Sequence, residues 1–266
     1  MMQLVEMKPG DVEEVSALAQ RVDRYGVPNA EWLRSRTIGD PTCAPDLLLL
    51  ARSGRQTVGY CFACVREERG IIKLFGVDPA VRRQGIGDKL FDEMEARLAT
   101  RGVKEVAVEG ASPNFFLPGV SLEKTEAIAF LLNRGYQTDR VSRVDMAVDL
   151  SAADLDTSDA ETRLKDRGIV IRRAQPSDVE AAAHMALAHF SDAWRYEVAD
   201  AIHYAPIPLF IALQEGRVLG FAAYDVTGPA RFGPTGTDPA HREQGIGGVL
   251  LKLCMRDIRD RGDRKS

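Results

Sequence analysis

One phrase written twice constrains this chain more than any other feature. Val77 to Gly87 reads VDPAVRRQGIG and Thr237 to Gly247 reads TDPAHREQGIG, with eight of the eleven positions identical. The likeness runs on in both directions. Upstream, Leu47 to Val65 (LLLLARSGRQTVGYCFACV) answers Pro208 to Val226 (PLFIALQEGRVLGFAAYDV). Each reads as a strand, a tight turn at Ser53-Gly54 or Glu215-Gly216, and a second strand. Further upstream, KPGDVEEVSAL answers QPSDVEAAAHM, each opening a helix behind a proline with an aspartate in the first turn. Downstream, Arg101-Gly102 answers Arg261-Gly262, where a glycine would end a helix. A repeat that carries strand, helix, hairpin, strand and helix in one order is a duplicated domain, not a short solenoid unit.

The expected organisation is a domain over residues 1–150, a linker over 151–168 and a second domain over 169–266. The segment Asp149 to Gly168 is rich in Asp, Ser and Thr and poor in large apolar residues, which fits a linker with at most a short helix. A chain of 266 residues has room for two domains, and its 45% apolar content supplies a core for each. The net charge of −4 argues against a nucleic-acid binder, which carries a basic surface. No apolar run approaches the roughly 18 residues of a membrane span, and MMQLVEMKPGD lacks the regions of a signal peptide. A cytoplasmic protein is expected. Cys61 and Cys64 spell C-x-x-C inside the apolar run VGYCFACV, so the reading is buried small residues on a strand, not a redox or zinc pair.

The segment GIIKLFGVDPAVRRQGIGDKLFDEMEARLATRG predicts strand, loop and helix. Ile71, Ile72, Leu74, Phe75 and Val77 form the strand, and Asp78-Pro79 ends it. The helix is expected from about Gly87, with Leu90, Phe91, Met94 and Leu98 as one buried stripe. The loop from Arg82 to Gly87 then brings small residues and backbone N–H groups to a helix N-terminus, a natural seat for phosphate. Gly85 and Gly87 let the backbone approach an anion, and Arg82 or Arg83 adds positive charge. GIGDKL is not a Walker A loop, and Leu90 and Leu250 stand where a dinucleotide fingerprint needs its third glycine.

At these residues the sequence resembles the GCN5-related N-acetyltransferase (GNAT) family, whose signature is [Q/R]-x-x-G-x-[G/A] behind a strand ending in V-x-P. The signature here is Arg82-Arg83-Gln84-Gly85-Ile86-Gly87 behind Val77-Asp78-Pro79, and Arg242-Glu243-Gln244-Gly245-Ile246-Gly247 behind Thr237-Asp238-Pro239. The resemblance implies an α/β fold, a mixed α+β sheet flanked by helices, as tandem acetyltransferase-like domains. It implies acetyl-CoA as cofactor, its pyrophosphate on the backbone N–H groups of Gln84, Gly85, Ile86 and Gly87 and on the matching Gln244, Gly245, Ile246 and Gly247. Arg82, Arg83 and Arg242 would add charge. The pantetheine arm would pair with the open end of the strand from Phe75 to Val77, and a backbone N–H near Val77, matched by Thr237, would polarise the thioester carbonyl.

The activity implied is N-acetyl transfer to a primary amine of a small molecule or peptide, by direct attack on the thioester. The alternative is a non-catalytic acyl-CoA-binding or regulatory module. The family's proton-donating tyrosine lies in F-Y-x-x-x-G-[F/Y]; here FLLNRGY puts Leu131 at that position, with Tyr136 at the motif's aromatic end. Glu109 and Asn114 are the catalytic candidates, just beyond the expected strand VKEVAVEG. The apolar loop SPNFFLPGV is a candidate pocket wall. Glu67 and Glu68 are expected in a hairpin turn, Trp194-Arg195-Tyr196 on a packed helix, and Asp225 at the end of a strand. His184, His189, His203 and His241 show no metal spacing, and no metal is expected.

The two copies are unequal. After Gly102 come a strand, the helix TEAIAFLLNRGY and a final strand RVSRVDMAVDL, whereas four residues follow Gly262. The second domain is thus expected to be C-terminally truncated, with an exposed sheet edge that the first domain, a homodimer partner or further residues could cover. The chemistry is expected in the first copy, with no nucleic-acid or membrane partner.

Overall fold

The computed structural model describes residues 2–23, 29–40, 43–112, 115–116, 118–138 and 146–262. The chain divides into two compact units, residues 1–144 and 145–266.

The first unit is a five-stranded sheet in the order β1-β2-β3-β4-β5. Its strands are β1 (Met2–Glu6), β2 (Leu48–Ser53), β3 (Gln56–Arg66), β4 (Arg69–Val77) and β5 (Glu105–Val108). Four strands run antiparallel, and β5 joins β4 in parallel after a helical crossover. Side-chain alternation then sorts each strand between two cores. Leu48, Leu50, Tyr60, Phe62 and Leu74 face α1 (Val12–Val22) and α2 (Ala30–Ser35). Leu49, Ala51, Cys61, Ala63 and Ile72 face α3 (Ile86–Ala99), which contributes the stripe Ile86, Leu90, Phe91, Met94 and Leu98. Phe130 and Leu131 of α4 (Thr125–Asn133) close this second core.

The second unit begins with α5 (Ser158–Asp166), inside the segment expected as linker. Leu164 of α5 is buried with Leu150, Ile169 and Phe210, so that segment is packed into the second unit's core. The sheet order is β6-β7-β8-β9, formed by β6 (Val170–Arg173), β7 (Leu209–Gln214), β8 (Arg217–Tyr224) and β9 (Phe232–Thr237). One face packs on α6 (Pro176–His189) and α7 (Asp192–Asp200), the other on α8 (Ile246–Asp260).

The duplication reaches into irregular detail. In β4, Lys73 is an extra residue between the pairs Phe62–Leu74 and Ala63–Ile72. In β9, Gly233 and Pro234 lie between the pairs Ala222–Thr235 and Tyr224–Phe232, so the ladder is interrupted at the corresponding place. Gly59 on β3 and Gly220 on β8 do the same work: a Cβ on either would stand 3.2 Å from the carbonyl oxygen of Gly76 or Gly236 and within 3.3 Å of the helix side chains Leu90 or Leu250. Glycine there lets the long helix lie close on the sheet.

Of the predicted final strand RVSRVDMAVDL, residues 140–145 lie outside the described part, and 146–150 hold only an isolated bridge at Asp149. The Leu150 side chain is fully buried among the apolar residues of the second unit. The second expected tight turn falls at Glu215-Gly216, whereas the first lies one residue on, at Gly54-Arg55, because Ser53 still pairs with Gln56; Glu67 and Glu68 form the turn between β3 and β4.

Candidate functional site

In each unit the candidate site lies where the strand before the long helix ends. After β4, Asp78 leads into a 3-10 turn (Pro79–Val81), a loop to Gly85, and α3 at Ile86. After β9, Asp238 leads into Pro239–His241, a loop to Gly245, and α8 at Ile246. The loops agree at the level of dihedral angles: φ is 62° at Arg83 and 64° at Glu243, and 75° at Gly85 and 89° at Gly245. The second of these positions is a left-handed helix cap, which glycine adopts without steric cost. Nothing lies within 4 Å of where a Cβ on Gly85 or Gly245 would stand, so the loop backbone borders open space. The first-turn N–H groups of α3 and α8 have no intrahelical acceptor and, with the helix dipole, favour an anion there.

The same hydrogen bonds hold both loops. The Asp78 carboxylate accepts from the Ala80 N–H at 3.0 Å, and Asp238 from the Ala240 N–H at 2.9 Å. Arg82 Nε donates to the Val77 carbonyl at 3.2 Å, and Arg242 Nε to the Thr237 carbonyl at 3.4 Å. The Ala80 N–H and then Arg21, at 3.0 Å, hold the Asp78 carboxyl below its ordinary range. Asp238 is lowered first by Ala240, with His189, His241 and Arg217 adding positive field. Both aspartates therefore stay ionised and fix the strand end. Arg82, Arg83, Gln84, Gly85, Arg242 and Gly245 are exposed, Gly87 and Gln244 are half-buried, and Gly247 is exposed. Ile86 and Ile246 turn their side chains into the core, leaving only backbone for a ligand.

The units differ beside the loop. β5 pairs with β4 only from Arg69–Glu105 to Ile72–Val108. Beyond that point β4 and β5 are not paired, and among the described residues Leu74 to Val77 have β3 as their one sheet neighbour. Among the described residues this leaves an unpaired strand edge between the fork and the anion loop. In the second unit, β9 is an edge strand along its whole length among the described residues.

At the fork sits Lys73, with its side chain 1% exposed. Its Nζ is 3.2 Å from Asp40 Oδ2, donates to the Arg36 carbonyl at 3.1 Å, and lies 5.2 Å from the centre of the Phe116 ring. Arg36 in turn donates to the Phe115 carbonyl at 2.9 Å and covers the Trp32 ring at 4.6 Å. Sequence reasoning missed this cluster; its one visible signal was a lysine inside an apolar strand.

The sequence candidates fall in separate places. Glu109 is 3.1 Å from Arg69 at the far end of β4, so it is held toward the start of that strand. Asn114 lies outside the described residues. Phe116 of the loop SPNFFLPGV is buried against Trp32, ring centres 4.9 Å apart. Asp225 pairs with Arg261 at 2.5 Å and accepts from the Ala230 N–H, and Trp194 packs on Phe190 and Phe221. Cys61 and Cys64 are fully buried and free, and burial pushes both thiols up, away from thiolate chemistry. Among the described residues no cluster could hold a metal ion, and no helix is long and apolar enough to cross a membrane.

Comparison with known proteins decides the family. The acetyltransferase (GNAT) domain model matches residues 44–138, and the acetyltransferase (GNAT) family model matches residues 177–266. Together they span well over half the chain, with one match in each unit. The chain belongs to the GNAT family. No curated protein matches it. Among solved structures, the glucosamine N-acetyltransferase region of a fungal multi-domain GH3 β-N-acetylglucosaminidase aligns over 100% of this chain and 35% of its own, at 18% identity and TM-score 0.77. This chain thus spans about a third of that protein. A tandem GNAT protein of the clavulanic acid biosynthesis pathway aligns over 100% of this chain and 88% of its own, at 16% identity and TM-score 0.64. A GNAT protein of Sphaerobacter thermophilus aligns over 99% and 84%, at 15% identity and TM-score 0.64. At such identities the likeness is one of fold, and it covers both units in tandem.

The GNAT tyrosine position is apolar here in space as well as in sequence. Leu131 is buried in the core between α3 and the sheet. The Tyr136 hydroxyl donates to Glu95 at 2.9 Å, and its ring meets Phe91 edge-on. Burial, then Glu95, push its proton affinity up. Tyr136 is a packing residue tied to α3.

Proposed function

We propose that this GNAT protein is an acetyl-CoA-dependent N-acetyltransferase, acting on a primary amine of a small molecule or peptide. One observation carries the proposal: two loops with the same dihedral angles and hydrogen bonds, each at the N-terminus of a long helix beside an open strand edge. In this reading, the backbone N–H groups of Gln84 to Gly87 hold the coenzyme's diphosphate, with Arg82 and Arg83 beside it. Backbone groups of Leu74 to Val77 hold the pantetheine amides as a further strand would be held. A backbone N–H near Val77 meets the oxyanion as the amine nitrogen attacks the carbonyl carbon. The C–N bond forms, the C–S bond breaks, the amine's proton goes to base or solvent, and the thiolate takes up a proton. Leu131 leaves the family's tyrosine position without a donor for the last step, and a thiol with an ordinary pKa of about 8.5 leaves without one. We place the chemistry in the first unit, where β4 and β5 fork; Gln244 to Gly247, with Arg242 and Thr237, would hold a second coenzyme.

The apolar Leu131 also favours a second reading, a module that binds acyl-CoA without turnover. Free-thiol release over a panel of amines separates the two. The transferase reading expects thiol release that depends on an added amine and falls at least tenfold on Gly85→Trp, which fills the loop at a left-handed position. Retention of acetyl-CoA with no amine-dependent release supports the binding module instead.

A further inference from the structure

We propose that the first turn of α4 is a clasp across the coenzyme channel of the first unit, closed by two ion pairs that the entering coenzyme must open. This inference rests on the reading of the β4–α3 loop as the diphosphate seat. Lys124, the residue before α4, donates from Nζ to the carbonyl of Val22 at 3.2 Å and lies 3.9 Å from Asp23. Val22 is the last residue of α1. Two residues on, Glu126 accepts from Arg82 Nη1 at 3.2 Å. The same Arg82 is tied through Nε to the carbonyl of Val77, where β4 ends. The turn therefore bridges from the end of α1, beside Gly76, to the anion loop, at the end of β4.

Only the front of α4 is lightly held. Its rear is fastened to α3 by Arg134, at 2.7 Å from both Asp92 and Glu95, and by Phe130 against Phe91, ring centres 5.0 Å apart. The Arg82–Glu126 pair is solvent-exposed, with Glu126 at 72% and Arg82 at 38%, and such pairs contribute little individually. The Glu126 carboxylate occupies Arg82, one of the two guanidiniums beside the diphosphate seat, so it competes with the ligand for that donor. After the diphosphate displaces it, like charge favours swinging the turn outward. In the second unit the corresponding Arg242 donates to Thr237 and has no carboxylate partner among the described residues. The two loops, alike in backbone, thus differ in what guards them.

The test is stopped-flow binding of coenzyme A to the full chain carrying Gly245→Trp, which silences the second loop. Glu126→Gln, Lys124→Met and the double variant are compared in that background. Removing Glu126's charge relieves an exposed pair of up to about 1 kcal/mol, a gain in affinity of up to about fivefold. The double variant is expected to bind faster still, and the difference from the parent is expected to shrink as salt rises. Unchanged or slower association in Glu126→Gln and in the double variant overturns the clasp, while binding by the parent leaves the diphosphate seat standing. A parent that binds no coenzyme A overturns both the seat and the clasp.

Discussion

A lysine in the middle of GIIKLFGV breaks an apolar strand, and its partner lies far away in sequence. Lys73 Nζ and Asp40 Oδ2 meet at 3.2 Å with both side chains at or below 1% exposure, where a charge cannot stand alone. The pair ties the segment after α2 to the bulge of β4, where β4 and β5 diverge. Lys73→Met keeps the volume and removes the charge, leaving Asp40 buried beside Arg66 at 3.8 Å. A loss of about 3 kcal/mol in unfolding free energy is expected, measured by urea denaturation; a change below 0.5 kcal/mol would show the pair to be dispensable. Residues of this kind were not legible beforehand, since a long-range contact has no local pattern. The loop residues were legible because their roles are local: Gly85 must turn left-handed, and Asp78 must cap its own turn.

Elements show how the copies diverged while keeping one architecture. Arg97 on α3 reaches Glu6 on β1 at 3.3 Å. In the second unit Asp257 occupies the same place on α8, twelve residues past the capping glycine, and it pairs with Arg173 of β6. Glu6 and Arg173 also correspond, facing Leu49 and Phe210 in equivalent registers. The helix–strand ion pair is thus retained with its charges exchanged. A helix docked on the other copy's sheet would bring Arg97 to Arg173 and Asp257 to Glu6, so like charge opposes a swap. Asp257→Arg is expected to cost about 1–3 kcal/mol in thermal or urea unfolding. Adding Arg173→Glu should recover most of the loss by restoring an opposite pair. Failure of the second change to recover stability would make the exchange incidental. Strands and helices with clean periodicity, such as β3, α3 and α8, were readable from the chain alone. The end of the run RVSRVDMAVDL was not: it reads as a strand, yet 146–149 hold only an isolated bridge and Leu150 is buried in the second unit's core, a packing demand without local signature.

At the scale of the molecule, the sequence repeat is a structural repeat of sheet, bulge, anion loop and helix, joined in one chain. What distinguishes the units is the surroundings of the loop: a forked β4–β5 pair and the α4 clasp in the first, an edge strand in the second. The family and the tandem arrangement were legible in eleven repeated letters because they encode a backbone shape. The acceptor amine was not, because neither the repeat nor any other local pattern specifies it. The central claim is that both loops are coenzyme seats of one design. Calorimetric titration of the full chain with coenzyme A tests it most directly. Two equivalents should bind to the parent chain, one after either Gly85→Trp or Gly245→Trp, and none after both. Undiminished binding by the double variant, with the chain still folded, would contradict the account.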